Sequence, residues 1–229
     1  MKKEDKYQPI TEADYDKLFG VNNPEICELH KEALKKAWEI RNFEINKFWQ
    51  RSAFFWGFIV LIFGGYITVV TGEFSKTENG KFLYFYLILL GIIFSVAWLL
   101  VICGSKRWQD NWEKHIDCLE DRITGPLYKT IFYTGKRFYS VSGINQILAW
   151  VVIATWFFLL IQYFYINCYI FKNIFEIISN NFQFIFFIIL PFVGTVICII
   201  LLVKKETSGG EINVDLKKGE QGAFFVRER

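Results

Sequence analysis

Four long stretches of the chain carry no charged side chain. They are the 21 residues between Arg51 and Glu73, the 24 between Lys81 and Lys106, the 34 between Arg137 and Lys172, and the 27 between Glu176 and Lys204. A helix of about 20 apolar residues crosses the roughly 30 Å hydrocarbon core of a bilayer. Because a soluble core helix is rarely apolar on every face, these stretches indicate membrane spans. The pattern predicts an all-α membrane protein with four transmembrane helices, near 52–72, 82–104, 147–169 and 183–203.

The basic residues predict how these helices are oriented. Lys and Arg are numerous before the first span and between the second and third spans, whereas the other two connections contain only Lys76, Lys81 and Lys172. The positive-inside rule therefore places both termini and the connection between spans two and three in the cytoplasm. The first 50 residues are polar and charged, so we expect the first span, rather than a cleaved signal peptide, to direct insertion.

Helical patterns continue beyond the first two spans on their cytoplasmic side. Asn23 and Pro24 are typical of a helix cap and a first helical position, and neither Gly nor Pro follows before the first span. One helix is therefore predicted over 24–71, with an apolar stripe at Leu34, Trp38, Ile45, Phe48 and Trp49. The second span is predicted to continue to Gly125-Pro126, with a matching stripe at Trp108, Trp112, His115 or Ile116, and Leu119. Together they would extend into the cytoplasm as a long antiparallel helical hairpin.

This organisation divides the chain into six segments. They are a polar N-terminal segment (1–23), a cytoplasmic helix (24–51), a first transmembrane hairpin (52–104), a cytoplasmic helix with a juxtamembrane segment (105–146), a second transmembrane hairpin (147–203) and a cytoplasmic tail (204–229). The tail is rich in Gly and charge, so it is expected either to hold a short strand or two or to be mobile. The first 20 residues show no informative pattern.

Catalytic and metal-binding motifs are absent from the sequence. His30 and His115 are the two histidines and lie on different predicted helices, and no HExxH, Walker A or GxGxxG motif occurs. The acidic residues of 110–121 have the spacing of helical partners for nearby Lys and Arg. The five cysteines form no CxxC pair, and two of them lie inside spans. We therefore expect no enzyme activity, no metal site and no cofactor.

The polar residues inside the spans are few and uncharged. Ion-coupled transporters normally need ionisable groups near the bilayer midplane, and these spans contain none. Two interpretations stay open, namely helix packing and the wall or hinge of a passive pore. Gly91 and Ser95 have the spacing of a small-residue packing surface. The pore or gating candidates are Thr68, Ser95, Thr155, Gln162, Gln183, Pro191 and Thr195.

The cytoplasmic basic residues have two interpretations as well. Attraction to anionic lipid at the membrane surface is their default role. In an oligomer they could instead converge into a basic chamber that attracts phosphate groups, while Trp or Tyr rings stack on bases. The ligand-binding candidates are Lys35, Lys36, Arg41, Lys106, Arg107, Lys114 and His115.

The segments KAWEIRNFEINKFWQRSAFFWGFI, GSKRWQDNWEKHIDCLED and GPLYKT resemble bacterial four-span membrane effectors of antiphage defence. The plan is similar to that of SLATT-type effectors and, most closely, of the channel subunits of Hailong-type defence. The resemblance covers roughly residues 30–170 and assigns no role to any single residue. It implies a tetrameric inner-membrane ion channel that depolarises the cell, is gated by a nucleotide or oligonucleotide, and has a nucleotidyltransferase partner. The alternative is a non-conducting membrane scaffold that recruits a soluble defence partner.

Overall fold

The computed structural model describes residues 7–22, 28–130, 139–167, 189–204 and 224–227. Its elements are β1 (Tyr7–Ile10), α1 (Glu12–Phe19), α2 (Glu28–Thr71), a 3-10 turn (Glu73–Lys76), α3 (Glu78–Leu119), α4 (Val141–Asn167), α5 (Leu190–Lys204) and β2 (Phe224–Arg227). These residues form two compact units. Unit 1 contains the described residues up to Ile45, residues 107–130 and β2, and unit 2 contains Asn46–Lys106, α4 and α5.

Three of the described helices are long and apolar enough to cross a membrane. They are α2, with 44 residues, α3, with 42 residues, and the Val141–Tyr165 part of α4. The fourth predicted span, 183–203, is described only from residue 189 onward, where α5 is a shorter apolar helix. The predicted helical membrane class is therefore confirmed for three long apolar helices, and residues 183–188 lie outside the described part of the chain.

Helix α3 lies at the centre of unit 2. Its most apolar window is 44% buried, against 28% for α4 and 11% for α2, so α2 leaves most of its apolar surface uncovered. Tyr66 of α2 contacts Tyr84 of α3, whereas Arg51 donates a hydrogen bond to Ser105 Oγ at 2.8 Å. Early positions of α2 thus contact late positions of α3, so the two helices are antiparallel in this unit.

Gly91 of α3 and Trp156 of α4 pack in close contact. The Trp156 ring is fully buried, stacks on Phe63 with ring centroids 4.0 Å apart, and lies directly over the Gly91 backbone. Ser95 is also fully buried, and its hydroxyl donates to the Gly91 carbonyl at 2.7 Å. The predicted packing surface at these two small residues is confirmed, because a larger residue at 91 would occupy the position of the ring.

Unit 1 packs the polar ends of α2 and α3 against α1. Its core comprises Tyr15 of α1, Leu34 and Ala37 of α2, and Ile116 and Leu119 of α3. The predicted stripe is confirmed at Leu34, Ile116 and Leu119. It is wrong at Trp108, whose side chain is 47% exposed, and at Trp49 in unit 2, which is 50% exposed. The small Ala37 occupies the buried position between the helices in unit 1, and a small residue allows their backbones to approach.

Helix α3 ends earlier than the sequence pattern predicts. It ends at Leu119 rather than at Gly125-Pro126. The buried Glu120 carboxylate accepts the backbone N–H groups of Tyr128 at 2.7 Å and Lys129 at 3.2 Å, which turns the chain back. His30 donates its Nε2–H to the Leu119 carbonyl at 2.8 Å, so a side chain from α2 caps the end of α3. The predicted cap at Asn23 and Pro24 lies outside the described residues.

Two short strands connect segments that are far apart in the sequence. β1 pairs antiparallel with β2, with Tyr7 opposite Arg227 and Ile10 opposite Phe224. A strand in the tail was one of the two predicted alternatives, and β2 confirms it. β1 and α1 lie where the sequence pattern was uninformative. Thr11 caps the N-terminus of α1 and accepts the Asp14 N–H at 3.2 Å, and Gly20, with φ 67°, caps its C-terminus after Phe19.

Candidate ligand and pore sites

The structure divides the seven predicted ligand-binding residues into an exposed group and a half-buried group. Arg41, Lys106 and His115 are half-buried, and Lys106 belongs to unit 2 rather than unit 1. The exposed group comprises Lys35, Lys36, Arg107 and Lys114. Lys36 lies 3.0 Å from the Glu39 carboxylate and Lys114 lies 3.8 Å from that of Asp117, both on their own helices. Such exposed pairs hold a cation weakly, so these side chains can still reach a ligand.

Arg41 is held by aromatic and acidic side chains within unit 1. Its guanidinium lies over the rings of Trp38 and Tyr128, 5.7 Å and 5.4 Å from their centroids. Its Nη2 donates to the Tyr128 hydroxyl at 3.2 Å and lies 3.7 Å from Glu113 Oε1. Gln109 Nε2 donates to the same carboxylate oxygen at 2.7 Å. Arg41 therefore joins α2, α3 and the 120–130 connection.

This arrangement shifts the pKa of the Tyr128 hydroxyl. Burial raises the pKa of Tyr128, the Glu113 carboxylate raises it further, and Arg41 acts in the opposite direction. The hydroxyl therefore stays protonated at neutral pH and accepts from Arg41. Arg41 was predicted to bind a ligand, but its position assigns it first to the packing of unit 1.

His115 contacts α1 through Tyr15. The Tyr15 hydroxyl and His115 Nδ1 are 2.8 Å apart, and the two rings stack with centroids separated by 5.6 Å. Burial lowers the pKa of His115 and raises the pKa of Tyr15. Both groups are therefore neutral near pH 7, so the hydroxyl donates and Nδ1 accepts. The imidazole thus has a structural partner that the sequence analysis did not identify.

An exposed cationic and aromatic surface lies along α3. Arg107, Trp108 and Lys114 are all exposed in unit 1. Trp108 precedes Trp112 by four residues, so its spacing is that of the helix seam, and only the structure shows that its side chain is exposed. We call Arg107, Trp108 and Lys114 the outer α3 surface.

Four of the predicted pore residues hydrogen-bond within their own helices. The hydroxyls of Thr68, Ser95, Thr155 and Thr195 donate to the carbonyls of Gly64, Gly91, Val151 and Pro191, at 2.7–2.9 Å. Thr68 and Gln162 are exposed on the protomer, whereas Ser95 lies in its core. Pro191 lies in the first turn of α5 as described. Gln183 lies outside the described residues.

No group of three or more His, Cys, Asp or Glu side chains in the described ranges is arranged to hold a metal ion. Within those ranges Cys103, Cys118 and Cys198 are free thiols, each half-buried. His30 and His115 are engaged with the Leu119 carbonyl and with Tyr15.

A family model described as the Octameric membrane protein family (8xMP) matches residues 31–166. This match covers more than half of the 229 residues. The chain belongs to the Octameric membrane protein family. It is a membrane protein. No curated protein and no solved structure matches it.

The 8xMP match contains most of α2, all of α3 and nearly all of α4. Its limits nearly coincide with the resemblance over residues 30–170, but it gives no support to SLATT-type or Hailong-type effectors specifically. The Arg41 cluster, His115 and the outer α3 surface all lie inside the matched range. Helix α1 and both strands lie outside it.

Replacing Arg41 of the 8xMP chain with lysine is expected to destabilise unit 1 by about 1 kcal/mol. Lysine keeps the charge but loses the planar stacking on Trp38 and Tyr128. The measurement is the midpoint of chemical unfolding of the purified protein in detergent. Lys35→Arg, an exposed change on the same helix, is the matched control and should leave the midpoint unchanged. Equal midpoints for both variants would contradict the role given to Arg41.

Acidification is expected to destabilise unit 1 through His115. The folded pKa of His115 is lowered by burial, below an unfolded value of about 6.5. Between the lowered pKa of the folded state and the unfolded pKa of about 6.5, the unfolded chain binds a proton that the folded chain does not. The free energy of unfolding therefore falls as the pH falls through this range. Above the unfolded pKa this contribution to stability is fully present.

His115→Asn tests this dependence, because asparagine offers an acceptor near the position of Nδ1 without titrating. Unfolding midpoints are measured from pH 8 to pH 5 for wild type and variant. The wild type should lose more stability on acidification than the variant, because the two proteins differ only at residue 115. Parallel curves of unfolding midpoint against pH would mean that His115 does not contribute to the loss of stability on acidification.

Proposed function

We propose that this 8xMP chain forms an octameric ion channel in the bacterial inner membrane and acts as an effector of antiphage defence. Its four spans place both termini in the cytoplasm, and the polar ends of α2 and α3 form an antiparallel hairpin there. A nucleotide or oligonucleotide, made by a partner nucleotidyltransferase, binds the cytoplasmic helices and gates the pore. The resulting current depolarises the membrane, and the protein itself has no enzyme activity.

One observation carries this proposal. α2 and α3 each join a polar segment to an apolar span in one unbroken helix, of 44 and 42 residues. No loop separates the polar segment from the apolar segment in either helix. A ligand that binds the polar end of either helix therefore acts on the same element that contains the span. This continuity supports a sensor coupled to a membrane pore better than it supports a simple anchor.

The family description supports eight copies rather than the four implied by the defence resemblance. The apolar part of α2 is only 11% buried within the protomer, which leaves surface for lipid and for neighbouring copies. In such an assembly the exposed Thr68 and Gln162 are the candidates for a pore wall. Ser95 instead stabilises the protomer core.

The outer α3 surface is our proposed ligand contact. Arg107 and Lys114 lie about 10 Å apart along the helix, a spacing that suits separate phosphate groups of one ligand. The exposed Trp108 indole follows Arg107 in the sequence and can stack on a base. The exposed Lys35 of α2 adds a further cation to unit 1.

Conduction is tested by reconstituting the purified protein in planar bilayers, with native mass spectrometry to count the subunits. Eight copies with measurable single-channel current support the proposal. Thr68→Val with Gln162→Leu should alter the conductance, and Leu61→Val, an exposed apolar change on α2, should not. A stable octamer that passes no current under any condition would refute the channel.

Ligand binding is tested with ATP and a short oligoadenylate as probes, by quenching of tryptophan fluorescence. Arg107→Glu with Lys114→Glu should weaken binding at least about tenfold, and Trp108→Ala should reduce the quenching itself. Lys17→Glu on α1 is the control with an exposed charge elsewhere in unit 1. If neither probe binds the wild type at low salt, nucleotide gating is wrong.

A non-conducting scaffold remains the second candidate function. The hydrogen bonds of Thr68, Ser95, Thr155 and Thr195 to their own helices favour it, because these hydroxyls then need no pore water. A scaffold would bind a soluble defence partner through unit 1 and leave the membrane potential unchanged when expressed with it.

A further inference from the structure

Helix α1 is attached to unit 1 by a single deeply buried side chain. Tyr15 is 1% exposed, and Phe19 is half-buried. The exposed residues of this eight-residue helix are Glu12, Ala13, Asp14, Lys17 and Leu18. Tyr15 is therefore the most deeply buried contact between α1 and the rest of the unit.

The groove that receives Tyr15 is built by two different helices. Leu34 and Ala37 come from α2, and Ile116 and Leu119 come from α3. At the polar end of the ring, His115 of α3 pairs with the Tyr15 hydroxyl. With Tyr15 in place, the ring contacts both helices and restrains any change in their packing within unit 1.

Further contacts hold the segment around α1. Ile10, Phe19 and Val21 pack against the same core, and the Phe19 ring lies 6.5 Å from that of His115. Arg122 donates to the Val21 carbonyl, and β1, which precedes α1, pairs with β2 over four residues. A two-stranded pairing of this length is marginal without further support. Tyr15 is the most deeply buried of these residues, so its removal should loosen α1 the most.

We propose that α1 is an autoinhibitory strap, in which docking of Tyr15 between α2 and α3 holds the assembly closed and its release allows opening. This regulation rests on the proposed channel function. The reason is mechanical: α2 and α3 are the helices that continue into membrane spans, so a side chain that joins their polar ends resists their rearrangement. Ligand binding at the outer α3 surface would act by loosening this contact.

Cys118 provides a local reporter of strap release. It packs beside the Tyr15 cluster and is half-buried. Burial raises the pKa of the Cys118 thiol, as do Asp117 and two acidic residues of α1, Glu12 and Asp16. Release of α1 would remove the cover and both of its carboxylates. The thiol would then ionise more readily and react faster.

The test uses the full-length protein with Cys27, Cys103, Cys168 and Cys198 replaced by alanine and Cys118 retained. Tyr15→Ala should accelerate maleimide labelling of Cys118 severalfold, since loss of the covering helix exposes the thiol and removes its acidic neighbours. Leu18→Ala, at a 51% exposed position of the same helix, should label like the parent. Tyr15→Phe, which loses only the hydroxyl, should give an intermediate rate. Unchanged elution on size-exclusion chromatography controls for general unfolding.

Conduction supplies the second measurement. In cells, Tyr15→Ala should depolarise the membrane without a defence signal, and Leu18→Ala should not. Unchanged Cys118 labelling in Tyr15→Ala would overturn the strap, whatever the current. Fast labelling with a channel that still needs its signal would overturn autoinhibition alone. Fast labelling with no current in any variant, even with signal, would refute the channel and leave α1 as a releasable cover of the groove.

Discussion

Replacing Gly91 with alanine is expected to prevent correct packing of α3 against α4. A Cβ atom at this position would lie 2.3 Å from Trp156 Cε2 and 2.5 Å from Cδ2, far inside van der Waals contact. Overpacking costs about 1–3 kcal/mol where neighbours can adjust. The Trp156 ring is fully buried and stacked on Phe63, so we expect about 3 kcal/mol or more. The measurement is thermal unfolding in detergent, followed by size-exclusion chromatography.

Gly104→Ala is the matched control for this prediction. It lies on the same helix, and a Cβ there meets nothing within 4 Å. Because alanine is the better helix former, this variant should melt at or above the wild-type temperature. Gly91→Ala combined with Trp156→Leu should recover part of the lost thermal stability, since leucine does not fill the space that the alanine Cβ needs. A Gly91→Ala protein as stable as Gly104→Ala would show that the two helices are not packed as described.

Glu120→Ala is expected to be the most damaging single change in unit 1. The carboxylate is 1% exposed and accepts the N–H groups of Tyr128 and Lys129. Removing it leaves two backbone donors without their partner, at a cost of about 1–3 kcal/mol each. We expect a loss of about 3 kcal/mol and faster proteolysis of the connection that follows α3. Limited trypsin digestion, which cleaves after Lys129, measures the second effect.

Asp121→Asn is the neighbouring control. Asp121 is exposed and pairs with Lys129 at the surface, so its neutralisation should leave the melting temperature nearly unchanged. Glu120→Gln should be intermediate, because its amide retains one acceptor oxygen. If Glu120→Ala and Asp121→Asn behave alike, the early end of α3 has another cause.

The candidate ligand site was only partly readable from the sequence. Basic residues were found by their position near the spans, but a linear pattern does not reveal which cations have internal partners. Arg41 is engaged by Glu113 and Tyr128, which lie 72 and 87 positions further along the chain. Trp108 was assigned to the helix seam, although its side chain is 47% exposed. Folding therefore moves the proposed ligand contact onto one face of α3.

The end of α3 and the structure of the N-terminal segment were also not predictable from the local sequence pattern. Gly125 and Pro126 are strong helix terminators, yet α3 ends six residues earlier, because Glu120 binds the backbone of the connection that follows. α1 lies in a segment without apolar periodicity, and its most deeply buried residue, Tyr15, meets His115 at a separation of 100 residues. Neither contact leaves a signal in local composition.

The sequence by itself determined that this is a helical membrane protein with long unbroken helices. That conclusion depends on apolar run length and on the absence of Gly and Pro, both of which act locally along the chain. Only the tertiary structure decided which face of each helix is buried, where α3 ends, and which charges are paired. Those outcomes depend on side-chain size at contacts such as Ala37 and Gly91, and on partners brought together from distant positions.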